Sequence, residues 1–351
     1  MQENHIIIFA GNRWQNKLIN NEIKEIKCIL FPGFSIRYSS FLPQFVIILL
    51  YYPTFVYHTI REHFMLKKII NQHHPDIVIS DSRIGLWNKK IKSVLVTHII
   101  KVPFPRPFRL FENFMLPLSH AVIKRFTFCF IPDFPGEINL SGRLSHRIRL
   151  PENARFIGIL STFEGIKTVK SSEEPGYIFS TDHTGTSDVD FRMDIFCTAI
   201  MSGPSPQKEL LTSKIKELLL QLNKNSVILA GNPSGGYTVQ KEGNVRIINH
   251  LPKYEFANII RRSEIIISRS GYTTVMELFS LGRSAILVPT PGQPEQEYLA
   301  EYLSEKKWFV QIKQKALSIH SLSDFKNPAL PAFNAAENDE LLHTALKELL
   351  K

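Results

Sequence analysis

Cysteine is scarce in this chain: Cys28, Cys129 and Cys197 are odd in number and far apart. No CxxC or Cys/His pair of the kind that holds zinc or haem is present, so disulfide scaffolds and zinc modules are set aside and a reduced, cytoplasmic compartment is expected. Long apolar runs are missing too. The nearest candidate, Phe41–Tyr57, contains Pro43, Gln44 and Pro53 and falls short of the ~20 clean apolar residues of a membrane span. A buried or interfacial helix is expected there instead. No secretory pattern follows Met1, because Gln2, Glu3, Asn4 and His5 precede only a short apolar stretch, Ile6–Ala10. No internal repeat of fixed period and no acidic DxD-type pair are found.

What is present reads as an ordinary globular chain. Over 351 residues, 44% are apolar and 21% charged, which argues against disorder and low complexity and gives a prior of two domains. The net charge of +10 is unevenly spread. Residues 1–163 hold 21 Lys and Arg against 10 Asp and Glu, or +11, whereas residues 164–351 hold 21 against 22, or −1. A positive field confined to one half points to an anionic surface or partner for that half, unless it is simply a solvated face. No RNA- or DNA-binding motif and no basic helix with interleaved aromatics is found, so nucleic acid is not the expected partner.

Short Ile- and Val-rich runs alternate with helical patterns, the pattern of a parallel α/β architecture. Strands are expected at residues 6–9, 26–31, 76–80, 93–97, 126–131 and 154–157, then at 195–201, 226–230, 245–248, 265–268 and 285–288. Helices are expected in the second half at about 207–222, 254–262, 273–281 and 296–305. Between them, residues 164–193 are polar and lack periodicity, as expected of a linker with a surface insertion. The expected organisation is therefore an N-terminal domain over 1–163, a linker over 164–193 and a C-terminal domain over 194–351.

Ligands of such folds lie beyond the carboxyl ends of the strands. The turn Ser202-Gly203-Pro204-Ser205-Pro206-Gln207 joins a strand to a helix, so its amides could bind a phosphate, although an ordinary turn reads the same way. A stronger signal is the stretch Arg262–Leu303, where a strand runs into Ser268-Arg269-Ser270-Gly271 and a helix begins near Thr273, whose hydroxyl is expected to cap it. Glu277 lies four residues on, on the same helix face, where a carboxylate can accept from a ribose diol or can simply face solvent. The rigid loop Pro289–Pro294, leading to Glu295 and Gln296, suits sugar hydroxyls. In the first half, Asp81, Arg83, His98 and Asp133 end strands. His98 with Asp81 could form a proton-accepting pair, and any of the four could equally serve the loop it sits in.

The ordered blocks SRSG, TTVMEL, AILVP and PEQEYLA resemble the glycosyltransferase family 28 C-terminal domain. SDSRIG, TH at residues 97–98, IPDF, NLSGRLSH, IGILSTF and SGPSPQ resemble a group of glycosyltransferase-like proteins common in Bacteroidetes. The resemblance implies a GT-B fold, two Rossmann-like domains facing across a cleft, with a nucleotide-sugar donor in the C-terminal half. It implies diphosphate contacts at Ser202, Gly203 and Gln207, and a ribose contact at Glu277. Gln293, Glu295 and Gln296 would read the donor sugar, backbone at Asn249-His250-Leu251 would pair with uracil, and Arg269, Ser270, Gly271 and Thr273 would surround the helix start. One departure is expected. The first strand and Gly/His loop of that larger group have no counterpart here, which leaves the usual candidate base missing.

The function so implied is transfer of a sugar from a UDP-sugar to a hydroxyl of a lipid-linked or cell-envelope acceptor, inverting and without metal or cofactor. The place implied is the anionic inner face of the plasma membrane. The alternatives are a UDP-sugar 2-epimerase-like enzyme and a degenerate, non-catalytic nucleotide-sugar-binding protein.

Overall fold

The computed structural model describes residues 7–23, 26–33, 44–163, 194–232 and 238–351. The expected linker, 164–193, lies outside them, as do Ile6 and Phe41–Pro43.

The N-terminal unit opens with β1 (Ile8–Gly11), α1 (Arg13–Glu22) and β2 (Lys27–Leu30), a parallel two-stranded sheet. α1 starts where it does because Asn12 accepts from the Gln15 amide while the Gln15 side chain accepts from the Asn12 amide, a reciprocal cap that satisfies two orphan donors. The chain then runs through α2 (Gln44–His73) into β3 (Ile77–Asp81), β4 (Lys92–Val96), α3 (Leu110–Ile123), β5 (Phe128–Ile131) and β6 (Ala154–Phe156). These four strands form a separate parallel sheet in sequential order.

α2 corrects part of the expectation for Phe41–Tyr57. Residues 44–57 are helical, with Pro53 inside the helix, but from residue 50 on the helix is not wholly buried: Leu50 is 66% exposed and Tyr57 64%, with Tyr52, Phe55, Val56, Ile60 and Phe64 also open. α3 repeats the theme, with Leu110 at 85%, Phe114 at 79% and Leu118 exposed at a spacing of four, one face of a helix. Among the described residues no helix is long and apolar enough to cross a membrane.

The C-terminal unit contains β7 (Ile195–Ile200), α4 (Gln207–Leu222), β8 (Ser226–Leu229), β9 (Val239–Glu242), β10 (Val245–Ile248), α5 (Lys253–Arg262) and β11 (Ser263–Ser268). It continues with α6 (Tyr272–Ser280), β12 (Ile286–Leu287), α7 (Pro294–Glu305), β13 (Val310–Gln311), α8 (Ile319–Ser323) and α9 (Ala335–Leu350). Its seven strands run in the order β13-β12-β11-β7-β8-β10-β9, parallel except for β9. β7 is buried along its whole length, and its sequence is apolar but for Thr198, whose hydroxyl pairs with that of Ser263 at 2.6 Å. From β7 the chain moves outward to β8 and β10, then returns to β11 on the other side. The reversal makes a topological switch point between β7 and β11, where such sheets open a crevice.

α9 does not stay with the C-terminal sheet. Its Leu342, Ala345, Leu346 and Leu349 pack on Val94, Phe130 and Ile157 of the N-terminal sheet, and Arg155 makes two bonds to Glu348 at 2.8 and 2.7 Å. Asn338 accepts from the Ile159 amide at 2.7 Å and donates to its carbonyl at 3.2 Å. The stretch expected as one C-terminal domain thus ends on its neighbour. Each buried Leu there contributes about 1.5–3 kcal/mol to holding the units together.

Candidate active site in the cleft

The strand ends at the switch point carry the expected donor residues. Ser202 and Gly203 follow β7, and Gly203 has a φ of +99° with open space where a side chain would stand. Glycine is the residue that this backbone permits at no steric cost. α4 starts at Gln207 without a side-chain cap; the Lys208 amide donates to the Pro204 carbonyl at 3.2 Å, and the Glu209 carboxylate accepts from Ser205 Oγ at 2.6 Å beside it. Lys208, half-buried, reaches the Gly231 carbonyl at the end of β8 at 3.3 Å, and burial pushes its pKa down.

Arg269 is fully buried beneath this turn. Its guanidinium donates to the carbonyls of Val288 (3.1 Å), Pro289 (3.2 Å) and Gln207 (2.8 Å) and to Gln314 Oε1 (3.0 Å). All four acceptors are neutral, so the cation has no carboxylate within bonding distance, and burial pushes its pKa down to about 10. Ser270, also buried, donates to the Gln296 carbonyl. Gly271, with open space over its Cα, is the N-cap residue of α6.

Thr273 does not cap α6. The helix starts one residue earlier than expected, at Tyr272, and Thr273 is exposed. Glu277 is not an ordinary solvent-facing carboxylate. Burial raises its pKa, with smaller opposing contributions from Thr162 and Lys253, and its Oε1 accepts from Thr162 Oγ1 at 3.2 Å. The loop that brings Thr162 there is pinned by Ser161 to Ser280 at 2.6 Å and by Phe163 stacked on Phe256 at 5.3 Å. Leu251 is buried, while His250 donates its amide to Asn249 Oδ1. In the loop expected to read the sugar, Gln293 stands before α7, and Gln296 is buried with its Oε1 accepting from the Thr290 amide at 2.9 Å. That bond shapes the loop.

From the N-terminal side, His98 reaches across. Its Nε2 lies 3.1 Å from Glu295 Oε1 in the first turn of α7, and its ring stacks on Tyr272 with centroids 3.8 Å apart and planes 8° from parallel. Tyr272 is itself buried, and its hydroxyl donates to the Pro132 carbonyl at 2.8 Å. The expected pairing of His98 with Asp81 is not formed. Asp81 is exposed and its carboxylate accepts from Ser82 Oγ at 3.3 Å, because β3 carries it along the sheet while the cleft side of His98 is met by α7.

Asp133 and Arg83 take structural parts. The Asp133 carboxylate, wholly buried, accepts from the amides of Phe134 (2.9 Å), Leu140 (2.9 Å) and Ser141 (2.8 Å) and ties down the loop that follows β5. Arg83 lies 3.4 Å from Glu62 and over the Phe31 ring. The tied loop, NLSGRLSH, docks on α7. Tyr298 Oη accepts from the Arg143 amide at 2.7 Å, the Arg143 guanidinium lies 3.7 Å from the Tyr298 ring centroid, and Tyr302 donates to Asn139 at 2.8 Å. Sequence reasoning missed Thr162, Lys208, Tyr272 and Tyr298. Their partners lie far along the chain or across a turn, and no local pattern announces them.

Among the described residues, no group of three or more His, Cys, Asp or Glu is placed to hold a metal ion.

Residues 205–327 match the glycosyltransferase family 28 C-terminal domain. Two similar proteins are UDP-N-acetylglucosamine--N-acetylmuramyl-(pentapeptide) pyrophosphoryl-undecaprenol N-acetylglucosamine transferases. That of Desulforudis audaxviator is 32% identical over 118 residues, 33% of this chain and 29% of its own length. That of Agrobacterium fabrum is 39% identical over 93 residues, 26% of this chain and 23% of its own. The matched stretch thus spans under a third of these relatives. The whole chain is similar in fold to the glycotransferase of kitacinnamycin, with a TM-score of 0.56 at 12% identity, covering 98% of this chain and 88% of that one. It is similar in the same way to the Streptomyces sp. SF2575 glycosyltransferase SsfS6 complexed with thymidine diphosphate, with a TM-score of 0.53 at 11% identity and coverages of 97% and 87%. The chain has the GT-B fold, and its likeness to the glycosyltransferase family 28 C-terminal domain is confined to residues 205–327.

Proposed function

We propose that the protein transfers a sugar, an N-acetylhexosamine or a hexose, from a UDP-sugar to a hydroxyl of a lipid-linked or cell-envelope acceptor, with inversion and without a metal. The observation that carries this reading is the meeting, in one cleft, of the strand ends of the family 28 domain with an imidazole from the opposite unit. The nucleoside diphosphate would lie over Gly203 and Gly271, which follow β7 and β11 and each have open space where a side chain would stand. Its charge would be met by the first amides of α4, by Lys208 and by the buried cation of Arg269, whose acceptors are all neutral. Preorganised charge of this kind stabilises a departing diphosphate. Glu277 would accept from the ribose diol in place of Thr162. A thymidine diphosphate is bound by the similarly folded SsfS6, and the relatives' names pair a UDP-sugar with an undecaprenyl-linked acceptor, which supports both choices.

The acceptor would be reached at the anionic inner face of the plasma membrane. The exposed apolar side chains of α2 and α3 belong to the half that carries +11, and an apolar face flanked by basic residues binds anionic lipid.

The test is calorimetry of the full chain with UDP, followed by turnover of UDP-N-acetylglucosamine with a polyprenyl diphosphate-linked glycan in the presence of EDTA. Binding of UDP and an inverted product are expected; no heat with UDP, or a retained anomer, would refute the reading. In flotation, Phe114→Asp should release the protein from anionic vesicles, and equal binding by parent and variant would remove α3 from the membrane contact.

A further inference from the structure

His98 is held in an unusual way for a residue that was expected to work with a neighbour on its own sheet. Both contacts that fix its ring come from the C-terminal unit: the Glu295 carboxylate at 3.1 Å from Nε2, and the face of Tyr272 at 3.8 Å. Nδ1 has no hydrogen-bond partner among the described residues. The ring is mostly buried, with 13% of the His98 side chain and 24% of that of Glu295 exposed.

From this geometry we infer that Glu295 is a positioning residue, which holds His98 as its Nε2–H tautomer and leaves Nδ1 as the proton acceptor for the incoming hydroxyl. The inference rests on the transferase reading above and replaces the sugar-reading part expected of Glu295. A neutral imidazole carries one proton, and the hydrogen bond that one ring nitrogen makes decides which of the two keeps it. A carboxylate accepts only, so Nε2 must be the donor and Nδ1 must carry the lone pair. Tyr272 keeps the ring plane in register, and its own rotation is blocked by the hydroxyl bond to Pro132.

In the reaction, the acceptor oxygen forms a bond to the anomeric carbon while its proton passes to Nδ1. The bond between that carbon and the diphosphate oxygen breaks, and its electron pair leaves with UDP. The imidazolium so formed lies against the Glu295 carboxylate in the first turn of α7. The base is therefore complete only when α7 stands against the N-terminal unit. Proton acceptance and the donor-bearing unit are coupled by one hydrogen bond.

The experiment uses the full chain and two independent readouts. With 15N-labelled histidine, NMR of the ligand-free protein should show His98, assigned through His98→Gln, as the Nε2–H tautomer. In Glu295→Gln, whose amide can donate as well as accept, the two tautomers should mix. Kinetically, Glu295→Gln should lower kcat about 10²–10³-fold, a size set by general-base catalysis, with the donor KM and UDP affinity within about twofold; Glu295→Asp should recover part of kcat. A His98 found as the Nδ1–H tautomer in the parent would overturn the inference. So would a Glu295→Gln variant that raises the donor KM and leaves kcat unchanged, since that is the signature of a sugar-reading residue. If no UDP-sugar is turned over by the parent, the transferase reading falls, and the tautomer measurement still decides the Glu295–His98 pairing.

Discussion

Replacing Glu277 by Gln separates what its carboxylate costs from what it does. In the ligand-free protein the group is partly desolvated and accepts one bond, from Thr162, and burial raises its pKa above the usual carboxylate value. A group whose folded pKa is raised adds stability that is fully present below its unfolded value of ~4.5 and is lost as the pH rises through the folded value. Above that window the ionised carboxylate burdens the fold, so Glu277→Gln should melt no lower than the parent at pH 7–8, and the advantage of Gln should vanish near pH 4.5.

UDP binding should move the other way. A carboxylate accepting from both hydroxyls of a ribose makes two charge-assisted bonds of ~1.5–3 kcal/mol each, against ~0.5–1.5 for neutral ones. Gln can accept only one while its amide donates, and both proteins must displace Thr162. The net loss is about 1.5–3 kcal/mol, roughly a 10- to 150-fold weaker Kd. The parent's advantage should also shrink as the pH falls through the raised pKa of Glu277, because a protonated Glu277 resembles Gln. Calorimetry with UDP at several pH values, beside melting curves, measures both. Equal UDP affinity in parent and variant, or an advantage that does not change with pH, would refute the assignment of Glu277 to the ribose.

Gly142 sits at a φ of +51° where a Cβ would run into the Tyr298 hydroxyl and lie 3.0 Å from the Tyr302 ring, so Gly142→Ala should cost about 2–4 kcal/mol in chemical denaturation. An unchanged midpoint would mean that the loop docks on α7 more loosely than these contacts require. Asn338→Ala strands the buried amide and carbonyl of Ile159 and should destabilise by about 2–4 kcal/mol, read from the same curves; a loss under about 0.5 kcal/mol would show that α9 does not hold the N-terminal sheet. Burial pushes the Cys129 thiol up to about 12 and raises that of Cys197 further, so a thiol reagent should label the native protein once, at half-buried Cys28. More than one equivalent before unfolding would contradict the packing of both sheets.

The apolar runs of β7, β8, β10 and β11 and the helix 207–222 were legible in the sequence to within a residue or two, because a strand covered on both faces must be apolar throughout. β9 was not, since an edge strand reading Val-Gln-Lys-Glu is mostly exposed and pairs through its backbone alone. The segments expected to hold a donor were legible as turns and helices that follow strands, a place that element order dictates. Their individual surroundings were not. Whether Glu277 faced solvent, whether Thr273 capped a helix, and whether Gln296 was free depended on where Thr162, Gly271 and Thr290 came to rest. The same holds for His98, which local reasoning joined to Asp81 on the adjacent strand and which the fold joins to Glu295. Periodicity along a chain records which face of an element must be covered, but not what covers it. α9 has a face made for burial and spends it on the first sheet, and only the packing of two separately folded halves against each other could bring a histidine to a carboxylate 197 residues away.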